Sequence, residues 1–162
     1  AIINTKKCVE CGICVNNCPQ DAVKEIGQEF TLAIGTDDDK NLKADDHMGM
    51  SKNFQIWNYS EGKMNFIENR KNPKYDEDET KTHGDPGKAK AVSGALKDAD
   101  IVVGKRFGPN ITRLTKKFIC IVARCQTIEG VNDLIKKNIN EITDEYENNT
   151  EKGIVLCGMC DE

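Results

Sequence analysis

The sequence predicts an α/β protein: a three-layer α/β/α domain with a mixed five-stranded sheet, preceded by a small cysteine-rich segment. Apolar runs at 31–36, 101–104 and 118–123 show no polar alternation, as is typical of parallel strands covered on both faces. Helical patterns separate the later runs, and right-handed crossovers make the three strands parallel. The segment before residue 29 instead has cysteines at the spacing that binds a metal cluster.

The cysteine-rich segment, residues 1–28, predicts a ferredoxin-like [4Fe-4S] site. Its four cysteines follow the pattern C-x2-C-x2-C-x3-C-P of bacterial ferredoxins, and they are Cys8, Cys11, Cys14 and Cys18. Zinc sites usually need only paired C-x2-C knuckles, often far apart in the chain. Disulfides belong to oxidising compartments, whereas we expect a chain without a secretory leader and therefore a reducing cytosol. The pattern therefore favours an iron–sulfur cluster over both zinc and disulfides.

The sequence does not decide which residue is the fourth ligand of this cluster, because in two-cluster ferredoxins the cysteine before proline binds the other cluster. All four cysteines of the segment can hold one cluster. Alternatively, the C-terminal pair Cys157 and Cys160 completes the site, or two chains form a homodimer that exchanges Cys18. The C-terminal pair is thus a candidate for metal binding, with a redox dithiol or a frayed tail as the competing interpretation.

The first half of the α/β domain, which spans residues 29–140, is predicted as a strand followed by a hairpin. The strand at 30–36 is buried, and a long polar loop follows it at 37–52. Alternating apolar residues at 53–60 and the return strand at 63–70 flank a Glu-Gly turn. The hairpin is expected to pair antiparallel with the first strand, and a charged, solvated loop follows it.

The second half alternates helices with strands. Asp85 caps a helix that has Pro86 in its first turn and an apolar stripe at Ala89, Val92 and Leu96. The later elements are a strand at 100–104, a helix at 111–117, a strand at 118–123 and a helix capped by Thr127. Residues 141–162 are predicted to be a polar tether that ends in the C-terminal cysteine pair.

The loops that leave the C-terminal ends of parallel strands gather at one edge of the sheet, where α/β proteins bind ligands. Here these loops carry an imidazole, a thioether, cations and a thiol. The candidate cofactor-binding residues are His47, Met48, Arg106, Gly108, Pro109, Asn110, Arg124 and Cys125. This set suits an anionic metal–sulfur cofactor. The imidazole, thioether and thiol bind metal, and the cations balance the negative charge. Cys120, inside a strand, is predicted to be a core residue.

Composition excludes several classes of function. The chain has 162 residues and a net charge of −4, which disfavours nucleic-acid binding because phosphate contacts need a basic surface. No apolar run approaches membrane-spanning length, so a cytoplasmic protein is expected. Eight cysteines suggest an anaerobic or oxygen-protected setting. No Ser/His/Asp or paired-carboxylate constellation is evident, so we expect a protein that is not an enzyme.

Residues 30–140 resemble the nitrogenase iron–molybdenum-cofactor accessory and biosynthesis proteins. The residues that carry the resemblance are Asp46-His47-Met48-Gly49, Phe54 and Ile56, His83-Gly84, Gly108-Pro109-Asn110 and the stretch 127–131. The resemblance implies a ribonuclease H-like fold and a cargo of iron–molybdenum cofactor or its precursors. It also implies that His47 contacts this cargo and that the partners are cofactor donor and acceptor proteins.

These observations predict an iron–sulfur protein that carries a metal–sulfur cofactor or precursor and also holds one [4Fe-4S] cluster, or two. The cargo is expected to be an iron–sulfur or molybdenum–iron–sulfur species. Two alternatives stay open. One is a ferredoxin-like electron-transfer protein whose α/β domain is a docking platform, and the other is an electron-transfer subunit of a larger redox complex.

Overall fold

A computed structural model of the chain describes residues 29–73, 86–149 and 153–156, together with Ile13 and Asn17. The described strands are β1 (Phe30–Thr36), β2 (Asn53–Ser60), β3 (Lys63–Lys71), β4 (Ile101–Gly104), β5 (Ile119–Val122) and β6 (Ile154–Leu156). The described α-helices are α1 (Pro86–Ala95), α2 (Ile111–Leu114), α3 (Ile128–Lys137) and α4 (Ile139–Asn148). A short 3-10 helix, Met48–Met50, interrupts the loop after β1.

The described strands form one mixed sheet in the order β3-β2-β1-β4-β5-β6. β1, β4, β5 and β6 run parallel to one another, and β2 pairs antiparallel with both β1 and β3. In the parallel half, Ile34 is level with Val103, and Gly104 is level with Val122. The C-terminal ends of these strands therefore lie together at one edge of the sheet.

Helices cover both faces of the sheet, as a three-layer fold requires. Side chains alternate along the buried strands: Leu32 and Ile34 pack in the core that α3 and α4 cover, whereas Ala33 packs in the core beneath α1 and α2. All three side chains are fully buried. Burial on both faces explains why these strands read as continuous apolar runs.

The five predicted strands and the predicted α/β class are confirmed. Thr127 caps α3 as expected, since its side-chain oxygen accepts a hydrogen bond from the backbone N–H of Gly130 at 3.2 Å. Helix α2 ends at Leu114, earlier than residue 117, and residues 115–117 form a turn in which the N–H groups of Lys117 and Phe118 both donate to the Leu114 carbonyl. This turn leads directly into β5.

The predicted polar tether at 141–162 is wrong for the residues described there. Residues 139–148 form helix α4, and 154–156 add a strand to the sheet beside β5. Ile142 anchors α4 in the core, and the Tyr146 ring packs edge-on against Phe30 with ring centroids 5.3 Å apart. Two isoleucines and a tyrosine at helical spacing, Ile139, Ile142 and Tyr146, form the apolar side of a helix whose other residues are polar.

Two predictions concern residues only partly described. The solvated loop expected after β3 is described only to residue 73, and there Lys71 ends the strand and Asn72 is buried. The capping residue Asp85 lies outside the described residues. Among the helices that are described, none combines the length and the apolar character needed to cross a membrane.

Candidate cofactor-binding site

Three loops leave the C-terminal ends of neighbouring parallel strands and lie at the same edge of the sheet. Loop A (37–52) follows β1, loop B (105–110) follows β4, and loop C (123–127) follows β5. We call these three loops together the loop edge. All eight candidate cofactor-binding residues lie on these loops, as expected for the ligand-binding end of an α/β sheet.

Backbone hydrogen bonds hold the three loops against one another. The N–H of Met48 donates to the carbonyl of Arg106 at 2.8 Å, which ties loop A to loop B. The N–H of Leu42 donates to the carbonyl of Gln126 at 2.9 Å, which ties loop A to loop C. Lys105 Nζ donates to the Gln126 side chain at 2.5 Å. These bonds fix the backbone on which the site's side chains stand.

His47 stands at the start of the 3-10 helix, with its side chain 38% exposed. Its Nδ1 lies 3.1 Å from Oδ1 of Asp46. A carboxylate at this position favours the tautomer with the proton on Nδ1, which leaves the Nε2 lone pair for a metal. The same Asp46 oxygen accepts the backbone N–H of His47 at 2.6 Å. Asp46 therefore orients both the backbone and the ring of His47.

Gly108 lies directly against the His47 ring. A Cβ added to Gly108 would be 3.1 Å from Nδ1 and 3.2 Å from Cγ of His47. A side chain here would press on the ring and require it to shift by a few tenths of an ångström, so the glycine allows the histidine to lie against loop B. Of the predicted residues, His47 and Gly108 are thus brought together by the fold.

Met48 differs from its prediction as a cofactor contact, because its side chain is buried rather than presented at the loop edge. It is 1% exposed and packs in the core beneath α1 and α2. Two glycines make room for it: a Cβ at Gly104 would lie 2.6 Å from Met48 Cβ, and one at Gly35 would lie 3.0 Å from its Cγ. Met48 therefore anchors loop A and holds the neighbouring histidine in place.

Arg106 and Arg124 are exposed on loops B and C, so two neighbouring loops each offer a cation to solvent. Guanidinium groups form strong, charge-assisted hydrogen bonds with anionic ligands. Their positions agree with the expectation that cations at this edge would balance the charge of an anionic cargo.

Lys43, in contrast, forms ion pairs within loop A. Its ammonium lies 2.5 Å from Asp37 and 3.1 Å from Asp45. Burial opposes the charged form, but the hydrogen bonds with the two carboxylates outweigh it and raise the pKa of Lys43. The bond with Lys43 also lowers the pKa of Asp45. This triad maintains the shape of loop A.

Pro109 and Asn110 complete loop B. Pro109 is exposed, whereas the Asn110 side-chain oxygen accepts a hydrogen bond from Arg113 at 2.6 Å. The Gly108 carbonyl accepts the N–H of Ile111 at 3.0 Å, which starts helix α2. Asn110 thus stabilises the turn that places Gly108 beside the histidine.

Cys125 also differs from its prediction. It was expected as an accessible residue of loop C, but it is 3% exposed and faces helix α3. A Cβ on Gly130 would lie 3.0 Å from Cys125 Cβ, so the glycine accommodates this packing. Cys120 is buried as expected, and burial raises the pKa of its thiol to about 12. Neither thiol is offered to a ligand at the loop edge.

Asn72 is a supporting residue that the sequence did not reveal. It is buried, and its side-chain amide donates to the carbonyls of Gly49 at 2.9 Å and Ser51 at 2.7 Å. These bonds fasten the end of loop A to the end of β3. The contacts join residues more than 20 positions apart in the chain, so no local pattern indicated them.

The predicted cluster ligands lie outside the described residues: Cys8, Cys11, Cys14, Cys18, Cys157 and Cys160. Within the motif, the N–H of Asn17 donates to the carbonyl of Ile13 at 3.1 Å, the spacing of one helical turn. In the part of the chain that is described, no group of three or more His, Cys, Asp or Glu side chains is arranged to hold a metal ion.

The fold and the loop edge define an α/β domain that presents a histidine where parallel strands end. Residues 30–141 match the family model described as dinitrogenase iron-molybdenum cofactor, and the chain belongs to that family. Residues 1–24 match the model described as 4Fe-4S binding domain. None of the curated proteins matches the chain. The resemblance is thereby confirmed, and the two matches together indicate a cofactor-associated iron–sulfur protein.

Proposed function

We propose that this chain is a non-catalytic carrier of an anionic metal–sulfur cofactor or precursor. The cargo binds at the loop edge, where His47 supplies a neutral imidazole nitrogen to one of its metal atoms. The observation that carries this proposal is the setting of His47, a half-exposed ring oriented by Asp46 and packed on Gly108. Imidazole is a suitable ligand for iron.

Arg106 and Arg124 contribute charge rather than metal ligation. Both are exposed on loops adjoining the histidine loop, where they can balance the charge of an anionic metal–sulfur cargo. An attachment through one imidazole and surface cations leaves most of the cargo's surface free. This arrangement suits transfer from a donor protein to an acceptor protein, both of which we propose as partners.

The N-terminal cysteines hold a resident [4Fe-4S] cluster in this proposal. The match of residues 1–24 to the 4Fe-4S binding domain supports the assignment and also favours a second candidate, a ferredoxin-like electron-transfer protein. Cluster assembly requires reduced thiols, in agreement with the cytoplasmic location expected from the sequence. The two candidates differ in whether the loop edge binds metal.

The test is anaerobic metal and sulfide analysis of the full chain, followed by titration with isolated iron–molybdenum cofactor. We expect about four cluster irons per chain and one bound cofactor. His47→Ala should keep the cluster iron and weaken cofactor binding more than about tenfold, because even the partners of a metal-bound histidine contribute that much. Cys11→Ala should remove the cluster.

Lys63→Ala is the matched control, since this residue is exposed at the start of β3, at the opposite edge of the sheet. It should bind the cofactor like the unaltered chain. Equal cofactor affinity in the His47→Ala and Lys63→Ala variants would contradict the carrier proposal. An unaltered chain that shows a reversible cluster couple and binds no cofactor would favour the electron-transfer protein.

A further inference from the structure

The layer formed by α1 and α2 is strongly basic on its outer side. Residues 86–118, which comprise these helices, β4 and loop B, contain eight lysines and arginines but only two carboxylates. The two helices lie side by side over the same face of the sheet. Six of the basic residues are exposed there, and we call them together the basic face: Lys90, Lys97, Arg106, Arg113, Lys116 and Lys117.

The two carboxylates of this layer do not neutralise the basic face, because other groups already bind them. Asp98 accepts hydrogen bonds from both terminal nitrogens of Arg70 in β3, at 2.5 and 2.6 Å. Asp100 accepts the backbone N–H of Thr31 at 2.9 Å and the hydroxyl of Tyr146 at 3.3 Å. Among the described residues, no carboxylate lies within ion-pair distance of a lysine of the basic face.

The layer on the other side of the sheet has the opposite charge. Helices α3 and α4 together carry six carboxylates and two lysines. The chain's net charge of −4 therefore describes a molecule with one basic and one acidic side. Such a separation of charge orients a charged partner as it approaches and accelerates the encounter.

The basic face adjoins the loop edge. Arg106 belongs to both, since it follows the end of β4 in loop B, whereas Lys97 precedes the start of β4 at the opposite edge of the sheet. At the junction with loop B, the half-buried Phe107 and Ile111 pack on the core beneath α1 and α2 and add apolar surface. A partner bound to the basic face would therefore lie beside the histidine loop.

The composition of this surface favours a protein over other polyanions. Membrane-binding surfaces insert large apolar side chains, and single-stranded nucleic acids stack on exposed aromatic rings. None of the large apolar side chains that are exposed in the described part of the chain belongs to α1, α2 or loop B. The acidic side of the molecule also opposes the long-range attraction that nucleic acids need. Half-buried apolar residues bordered by exposed cations are instead typical of protein interfaces.

We propose that the basic face docks an acidic surface of the protein that receives the cargo. The inference rests on the proposed carrier function and specifies the chemistry of its acceptor. The docked acceptor lies beside the loop edge, so the cargo passes across intact. Its bond to the His47 nitrogen breaks as a ligand of the acceptor replaces it, and no electrons are exchanged. Charge complementarity makes this encounter fast, as a transfer complex requires.

The test measures transfer of iron–molybdenum cofactor from the loaded full chain to cofactor-free dinitrogenase, the protein to which this cofactor belongs. Molybdenum in the re-isolated dinitrogenase gives the rate at low and at high salt. Lys116→Glu/Lys117→Glu should lower the rate constant at low salt at least about tenfold, because it reverses two charges that attract the acceptor. High salt should reduce this difference by screening. Affinity for isolated cofactor should stay unchanged, since neither lysine lies at the loop edge.

The matched control is Lys136→Glu/Lys137→Glu, which changes the net charge equally but lies at the end of α3, in the acidic layer. It should transfer cofactor like the unaltered chain. Equal slowing in both variants would overturn the inference, because net charge and not the basic face would then control the rate. Salt-independent transfer, or a loaded chain that transfers nothing, would also contradict it.

Two further measurements distinguish the other possible occupants of the basic face. Binding of duplex DNA or of phosphatidylserine vesicles that Lys116→Glu/Lys117→Glu abolishes, with transfer unaffected, would assign the face to a nucleic acid or a membrane and overturn the docking of an acceptor. None of these results affects the carrier proposal, which fails separately if isolated cofactor binds equally well without His47.

Discussion

The histidine of loop A is positioned by small residues as much as by its hydrogen-bond partner. Gly108 leaves room for the His47 ring, and Gly35 and Gly104 leave room for the buried side chain of Met48. Asp46 adds the carboxylate that favours a free Nε2. The loop histidine can be this well fixed because the backbone of loop A is tied to loops B and C.

Gly108→Ala tests that positioning. The added methyl would press on the His47 ring at 3.1 Å, so we expect cofactor affinity to fall about tenfold, a typical effect of disturbing a ligand's support. Isothermal titration with isolated iron–molybdenum cofactor measures the change. Gly49→Ala is the matched control in loop A, because its Cβ would meet nothing within 4 Å. Equal affinities in the two variants would show that the ring's position does not matter.

At the residue scale, the sequence located His47 and its neighbours but not the direction of each side chain. Met48 and Cys125 lie in the predicted loops, yet both side chains turn into the core. The burial of Met48 depends on space left by Gly35 and Gly104, 13 and 56 positions away in the sequence, and that of Cys125 on space left by Gly130 in the following helix. A loop position indicates nearness to a site, whereas orientation depends on such tertiary contacts.

Among the secondary-structure elements, helix α4 and strand β6 differ most from the sequence prediction, which was a polar tether. Polar residues dominate 139–148, and only Ile139, Ile142 and Tyr146 mark its inner side. The sequence has a short apolar run at 154–156, but nothing in it indicates which strand this run pairs with. β6 pairs parallel with β5 because α4 returns the chain to the end of the sheet where β5 begins. A local sequence pattern does not indicate such a return.

Ile142→Ala tests whether α4 is an integral element. Removing a fully buried isoleucine side chain should lower the free energy of unfolding by about 2–4 kcal/mol. Urea unfolding followed by circular dichroism measures this, with Glu141→Ala, an exposed neighbour, as control. If both variants unfolded at the same urea concentration, α4 would contribute no packing, and the tether predicted from the sequence would be the better description.

Across the whole molecule, the sequence predicted the layered architecture well because continuous apolar strands and capped amphipathic helices are local signals. The parallel order of β1, β4 and β5 followed from the handedness of crossovers, and so did the edge at which their loops meet. What stayed hidden were long-range bonds such as those of Asn72 to loop A. The molecule combines this preformed edge with cysteine motifs at both ends of the chain.

The central claim is that His47 binds a metal atom of the cargo. Pulsed electron paramagnetic resonance tests it most directly, on the full chain loaded with iron–molybdenum cofactor and made with isotopically labelled histidine. We predict a hyperfine coupling between the labelled imidazole nitrogen and the cofactor, and its loss in the His47→Ala variant. A chain that binds the cofactor without any histidine nitrogen coupling would contradict the account.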